Sequence, residues 1–387
     1  MIITAPTTTQ LLSNYSRTPI HFEMGEGVFL YDMNGHRYLD ALCGIAVTPF
    51  GHNHSGIRSS VERQLDRYWH ISNLFESADQ ELLASKMLAK AQGLNKVFFC
   101  NSGTEANEAA IKFARKWGNG RKEIISAGNS FHGRTYGSLS ATGKPALQKN
   151  FGPMLEGFVS VPFNDLSAIE KAITADTVAV MLEPIQGEGG IVVPSSSYLE
   201  KVSELCKQNN LLLIVDEVQT GNGRTGKYFA YQHCNAEPDI VTTAKGIANG
   251  LPLGAVLVSS KVADIIMPGD HGSTFGGNPI AVAAALAVVD LLDEELLESN
   301  MVAGEKLKLT LKDLKLSAVK EVRGIGMMIG IALEDGYSAK KIAERLLEEG
   351  LIIGTSGDSV LRILPPYIIT DEEMELLIVG LQKILNI

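Results

Sequence analysis

From residue 97 to residue 258 the chain alternates two patterns. Short, largely apolar runs at 97–100, 123–127, 158–161, 178–182, 211–215, 239–242 and 255–258 end in polar or glycine-rich corners, and stretches with helical spacing separate them. The runs show little polar alternation. That predicts strands buried on both faces, and so an α/β fold with a mostly parallel seven-stranded sheet and helices on both faces. The clearest helical stretch, 105–117, puts Ala106, Ala109, Ala110, Phe113, Ala114 and Trp117 on one stripe. Ser102 and Glu105 have capping-box spacing at its start. The chain ends read differently, with strand-like pieces at 28–31, 37–39 and 328–333. A helix at 338–349 closes at Gly350, and another opens at Thr370 with Glu373 three residues on. This layout predicts a large α/β domain over 61–293. A smaller α+β domain forms from 294–387 and is joined by the N-terminal segment 1–60.

Composition narrows the class. A chain of 387 residues can bury a core without metal or disulfide staples, and 45% hydrophobic with 20% charged residues excludes a disordered or fibrous chain. The net charge of −10 argues against nucleic acid as a partner, because phosphate binding needs clustered cations. Cys43, Cys100, Cys206 and Cys234 lack metal-ligand spacing and read as reduced thiols. Residues 1–12 carry no leader pattern, and no apolar run approaches the ~20 residues of a membrane span. A cytoplasmic protein without membrane contact is expected. His52 and His54 have no further ligands nearby and read as turn residues, so no metal is expected.

A glycine-rich loop offers two misleading motifs. Gly221–Gly226 matches the G-x-G-x-x-G of dinucleotide-binding oxidoreductases. However, five residues separate it from its strand, and a polar, proline-containing stretch follows where a long helix is needed. Extended to Lys227 it resembles a phosphate-binding P-loop, yet Tyr228 stands where a small hydroxyl must hold Mg²⁺. A turn after a strand is the better reading of both.

The candidate chemistry lies at strand ends. Asp216 follows the run 211–215, and Lys245 follows 239–242. In an α/β sheet both fall at the C-terminal edge, where ligands collect. That spacing alone equally fits an ordinary salt bridge. Six segments decide between the two: Ser-Gly-Thr-Glu-Ala-Asn at 102–107, Phe-His-Gly-Arg-Thr at 131–135, Glu-Pro-Ile-Gln-Gly-Glu-Gly-Gly at 183–190, Asp-Glu-Val-Gln-Thr-Gly at 216–221, Ala-Lys-Gly at 244–246 and Gly-Ser-Thr-Phe-Gly-Gly-Asn-Pro at 272–279. In this order, from about Gly25 to Pro366, the chain resembles the class III, ornithine-type aminotransferases that use pyridoxal 5′-phosphate.

The resemblance implies fold type I of the pyridoxal-phosphate enzymes, one coenzyme per subunit and a homodimer with shared active sites. Lys245 would carry the coenzyme as a Schiff base, a role that suits an amine in a partly dry site. Asp216 would face the pyridine nitrogen and keep it protonated, so that the ring can accept electrons. Ser102, Gly103 and Thr104 would bind the phosphate at a helix start, joined by Thr274 from the neighbouring subunit. Phe131 would stack on the ring, and Gln219 would meet its hydroxyl oxygen. Arg134 would clamp the far carboxylate of the amino donor. Arg362 would grip the 1-carboxylate of 2-oxoglutarate, with Glu188 as the gate that masks it.

Within the family, Ile45 stands where enzymes for free ornithine usually carry tyrosine, and His132 where they tend to have tryptophan. An aliphatic side chain cannot neutralise a charged α-ammonium but tolerates an acylated nitrogen. N²-acetyl-L-ornithine is therefore the expected donor. γ-Aminobutyrate, ornithine and N-succinyl-diaminopimelate are the alternatives, and a related decarboxylase or aminomutase is the rival chemistry.

Overall fold

A computed structural model describes residues 10–386. Most of the N-terminal stretch read for a leader, and the first part of the segment 1–60, lie outside the described residues. The seven apolar runs form one sheet, in spatial order Lys96–Cys100, Gly254–Val258, Ile240–Thr243, Leu212–Asp216, Thr177–Leu182, Glu123–Ala127 and Phe158–Val161. The strand Gly254–Val258 runs antiparallel to both its neighbours, and the remaining pairings are parallel. Every residue of Thr177–Leu182 and Leu212–Asp216 is buried, which explains their unbroken apolar pattern.

Helices cover both faces of this sheet. The helix Gly103–Gly118 packs Ala106, Ala109, Ala110 and Phe113 against Ile124, Met181, Ile214 and Val256. On the other face, Pro279–Leu291 joins a core that contains Val180, Leu182, Leu213 and Val215. Ser102 caps the first helix, its Oγ accepting from the Glu105 N–H at 3.3 Å. The expected capping box closes only halfway. The Glu105 carboxylate turns instead to Asn101, accepting from its backbone N–H at 2.6 Å and its amide at 2.9 Å. Asn101 offers two donors just past the strand, more than the single Ser102 N–H. At Thr370 both halves of the box form, at 3.2 and 2.8 Å.

The two chain ends meet in one smaller sheet. Leu351–Ile352 pairs in parallel with Arg37–Asp40, and Phe29–Asp32 and Phe22–Glu26 follow outward. A third sheet holds Val319–Ile325, Met328–Leu333, Val360–Ile363 and Gly354–Ser356. The glycine-rich loop is a brace between these parts. Gly223, at φ +87, lies against Leu292 and Leu297, and Gly226, at φ +82, against Met301. Buried Arg224 donates to the carbonyls of Met327 and Pro365 at 3.1 and 2.6 Å. Only the short helix Ala230–His233 follows the loop, so no dinucleotide helix exists there.

The paired histidines also have structural work. His52 Nε2 lies 3.0 Å from the Asp40 carboxylate, and His54 caps the helix Ser55–Leu65. All four cysteines are free thiols. Among the described residues, no helix is long and apolar enough to cross a membrane.

Candidate active site

Parallel strands deliver their C-terminal ends to one edge, and that edge here opens into a cavity of about 350 Å³. Of the residues expected at a site, Ser102, Gly103, Thr104, Phe131, Arg134, Glu188, Asp216, Gln219 and Lys245 line it. Arg362 stands one layer behind, paired with Glu188. Thr274 is exposed and does not line the cavity of its own chain. Ile45 is also absent from the lining, where Val47 appears instead.

Asp216 forms the best-anchored part of the floor. Its Oδ2 accepts from the Asn107 amide at 2.8 Å and pairs with His132 Nδ1 at 2.7 Å, while Oδ1 accepts from the Val218 N–H at 3.0 Å. Asn107 is itself fixed. It donates to the His132 carbonyl at 2.7 Å and accepts from the Thr242 hydroxyl at 2.7 Å. Asp216, His132, Asn107 and Thr242 are all buried, and such a network holds its members in one geometry. Burial pulls the His132 pKa down, but the hydrogen bond and charge of Asp216 outweigh it and leave the imidazole above its ordinary value.

The neighbouring carboxylate behaves differently. Glu217 turns away from the cavity and accepts from the Thr220 hydroxyl and, at 2.7 Å, from the Tyr231 N–H. Burial raises its pKa to about 7. Glu183, which does line the cavity, is likewise raised to about 7 by burial. It accepts from the N–H groups of Phe131 and Gly187 at 3.1 and 3.3 Å.

Lys245 opens the short helix Lys245–Ala248 with φ +49. A residue with a side chain spends about 1 kcal/mol or more in that left-handed region, so the surroundings must hold it there. Asn222 does so. Its side-chain amide donates to Thr243 Oγ1 at 2.9 Å and to the Ala244 carbonyl at 3.1 Å, and its backbone carbonyl accepts from the Tyr367 hydroxyl at 2.7 Å. Burial lowers the Lys245 pKa. The Arg362 charge acts in the same sense, against the pull of Glu188, Asp216 and Glu183. The arrangement favours a neutral, nucleophilic amine.

The start of the helix Gly103–Gly118 also lines the cavity. The first N–H groups of a helix have no partner within it. Close packing is tight at this point, because a Cβ on Gly103 would lie 2.6 Å from Val218 and one on Gly133 only 2.2 Å from Thr104 Oγ1. These neighbours leave no room for a side chain at either position. Phe131 is half-buried on the wall, and the exposed Arg134 guanidinium sits 5.7 Å from its ring centre.

The rim carries the ion pair of Arg362 with Glu188. Arg362 is buried and leaves its Nε without a partner. Burial alone would raise the Glu188 pKa, but the charge and hydrogen bond of Arg362 bring it below the ordinary value.

Reading the sequence missed Asn107, Glu183, Asn222 and Thr242. Asn107 and Glu183 stand inside motifs already singled out, and that was the one signal available. His132 was noticed only as a departure at the donor site, not as the partner of Asp216.

Comparison with known proteins identifies the family. Residues 12–385 match the family model described as aminotransferase class-III. An acetylornithine aminotransferase of Methanocaldococcus jannaschii is 45% identical over 383 residues, covering 96% of this chain and 95% of the relative. Among solved structures, the ornithine aminotransferase of Toxoplasma gondii superposes with a TM-score of 0.92 at 34% identity, over 97% and 92% of the two chains. The N-acetylornithine aminotransferase of Stenotrophomonas maltophilia does so with a TM-score of 0.84 at 35% identity, over 96% of each.

The coenzyme of that family, pyridoxal 5′-phosphate, fits the cavity. An amine of lowered pKa, an anchored carboxylate and a helix start line one cavity, and among the described residues the buried Gln219 Oε1 has no partner. With motifs, fold, cavity and full-length similarity in agreement, the chain belongs to the class III aminotransferases and uses pyridoxal phosphate.

Proposed function

We propose that this enzyme moves the δ-amino group of N²-acetyl-L-ornithine to 2-oxoglutarate, giving N-acetyl-L-glutamate 5-semialdehyde and L-glutamate, as a cytoplasmic homodimer. One observation carries the reading. A single cavity joins Lys245 and the anchored Asp216 to Arg134 and the Glu188–Arg362 pair, so both substrates can be served in turn. The coenzyme, when bound, supplies an aldehyde for the amine and a ring that accepts electrons.

The protein's own groups do the rest. Ser102, Gly103 and Thr104 hold the phosphate at the helix start. Phe131 covers the ring, Gln219 meets the ring oxygen, and Asp216 keeps the ring nitrogen protonated. Lys245 Nζ would hold the coenzyme at rest. When free, it would take the proton from the amine-bearing carbon of the substrate as a base and, as an acid, deliver it to the carbon of the coenzyme that carried the aldehyde. Arg134 clamps the donor carboxylate. Glu188 masks Arg362 while the donor is bound and leaves it when 2-oxoglutarate arrives, whose 1-carboxylate the guanidinium fork then takes.

The shared dimer site has support on the surface. Trp69, Leu74, Phe75 and Phe275 are 66%, 91%, 67% and 61% exposed around the loop that carries Thr274, too much apolar surface to leave in water. Asn73 stiffens that loop by donating to the carbonyls of Ser273 and Gly276 at 3.0 and 2.9 Å. A presented Thr274 fits a phosphate contact in the partner's site.

The test mixes purified enzyme separately with acetylornithine, ornithine, γ-aminobutyrate and N-succinyl-diaminopimelate and follows the absorbance of the lysine-bound coenzyme. Acetylornithine is expected to discharge it fastest. A faster reaction with one of the others would replace the donor, and release of CO₂ would replace the reaction.

A further inference from the structure

The loop that bears Glu188 contains three glycines, Gly187, Gly189 and Gly190, and is therefore permissive in backbone conformation. Yet it is pinned. The Glu188 carbonyl accepts from two side chains, Lys144 Nζ and Ser356 Oγ, each at 2.6 Å. The Gly190 carbonyl accepts from Arg323 at 2.8 and 3.1 Å. Ser356 and Arg323 ride on the same sheet as Arg362. From the large sheet, Glu183 accepts from the Gly187 N–H at 3.3 Å, the Gly128 carbonyl accepts from Gln186 Nε2 at 2.9 Å, and the carbonyl of Glu188 itself is reached by Lys144. The Lys144 backbone is fixed there by Gly143, whose carbonyl accepts from Asn129 at 2.8 Å and whose N–H donates to Ser130 Oγ at 3.0 Å. A Cβ on Gly143 would lie 2.1 Å from the Ala127 carbonyl, so this approach requires glycine.

Two consequences follow. With its carbonyl held from both sides, Glu188 can leave Arg362 by side-chain rotation without moving the loop. A carboxylate that leaves Arg362 at this rim, where its side chain is only 27% exposed, gains by meeting another cation. Lys144, already bound to the same residue's carbonyl, is positioned to be that cation. Lys245 also acts on Glu188, but it is engaged by the chemistry.

We infer that Lys144 is a positioning residue for the gate. It anchors the Glu188 backbone and receives the Glu188 carboxylate when Arg362 turns to 2-oxoglutarate. This rests on the gating reading above. Without Lys144 the open gate loses its partner while the masked gate keeps Arg362, so the loss falls on the second substrate. The holoenzyme carrying Lys144→Met is expected to show a KM for 2-oxoglutarate raised about tenfold, the acetylornithine half-reaction changed less than about twofold, and an unaltered melting temperature. Lys144→Arg restores most of the difference. In a Glu188→Gln background the same Lys144→Met change has no further effect, because the carboxylate it serves is gone.

Equal damage to both half-reactions, or no change in either, overturns the assignment while leaving the gate intact, provided Glu188→Gln by itself shifts the balance between the substrates. If Glu188→Gln shifts nothing, the gating reading fails and the role of Lys144 fails with it.

Discussion

The floor and the rim of the cavity are built on opposite plans. Around Asp216, three donors from the large α/β body converge on one carboxylate, and its two side-chain partners, Asn107 and His132, are buried and bonded to each other. Around Glu188, the contacts come from both bodies of the fold, and the charged pair spans them across a loop of glycines. Electrostatic stabilisation of a developing charge requires groups that do not reorganise, which the floor supplies. Accepting two substrates of different charge requires a pair that can exchange partners, which the rim supplies. The contrast repeats within two consecutive residues. Asp216 faces the chemistry, whereas Glu217 is turned into the core, where burial raises its pKa to about 7.

The sharpest way to break this comparison is at the floor. Lys245→Ala should lose the coenzyme absorbance and roughly four or more orders of magnitude in turnover; retention of both would refute the covalent role. Asp216→Asn should keep the coenzyme bound yet lose about three orders in rate, checked by single-turnover kinetics. His132→Leu removes one of three donors to Asp216, so a loss of about 10–100-fold is expected, together with a changed pH–rate profile. A loss without any change in profile would mark His132 as packing only.

At the rim the effect should divide rather than abolish. Arg362→Ala is expected to harm the 2-oxoglutarate half-reaction at least about tenfold more than the donor half-reaction. Equal damage in rapid-mixing experiments would count against the gate.

Away from the cavity the effects concern stability. The folded-state pKa of Glu217, about 7, lies above its ordinary 4.5, so the folded protein holds an extra proton between these values. Its stabilising contribution is complete below pH 4.5 and lost as pH rises through about 7. Glu217→Gln should flatten the fall of melting temperature across that window and leave turnover unchanged. The smallest expected effect is Thr370→Ala, which opens a complete capping box and should cost about 1 kcal/mol in denaturant unfolding.

Much of this was legible because local patterns carry it. Each of the seven apolar runs became a strand; in the central ones burial on both faces leaves a mark in the residues themselves, while the edge strands Lys96–Cys100 and Phe158–Val161 are only partly buried. Lys245 and Asp216 could be singled out because a charged group at the end of a buried strand needs a reason to be there. The glycine-rich loop shows the opposite case. Its spacing imitates two phosphate motifs, and only the packing of Gly223 and Gly226 under neighbouring side chains reveals a brace.

The sequence by itself determined the strands, the helix starts and the kinds of group placed at the sheet's edge, because these follow from short-range periodicity and capping. Tertiary structure decided which of two adjacent carboxylates meets His132, that Asn222 holds the backbone before Lys245, and that Lys144 and Ser356 converge on one carbonyl. Those partners are distant in the chain, and their meeting depends on strand order and on where the small sheet docks. No local pattern of residues encodes that.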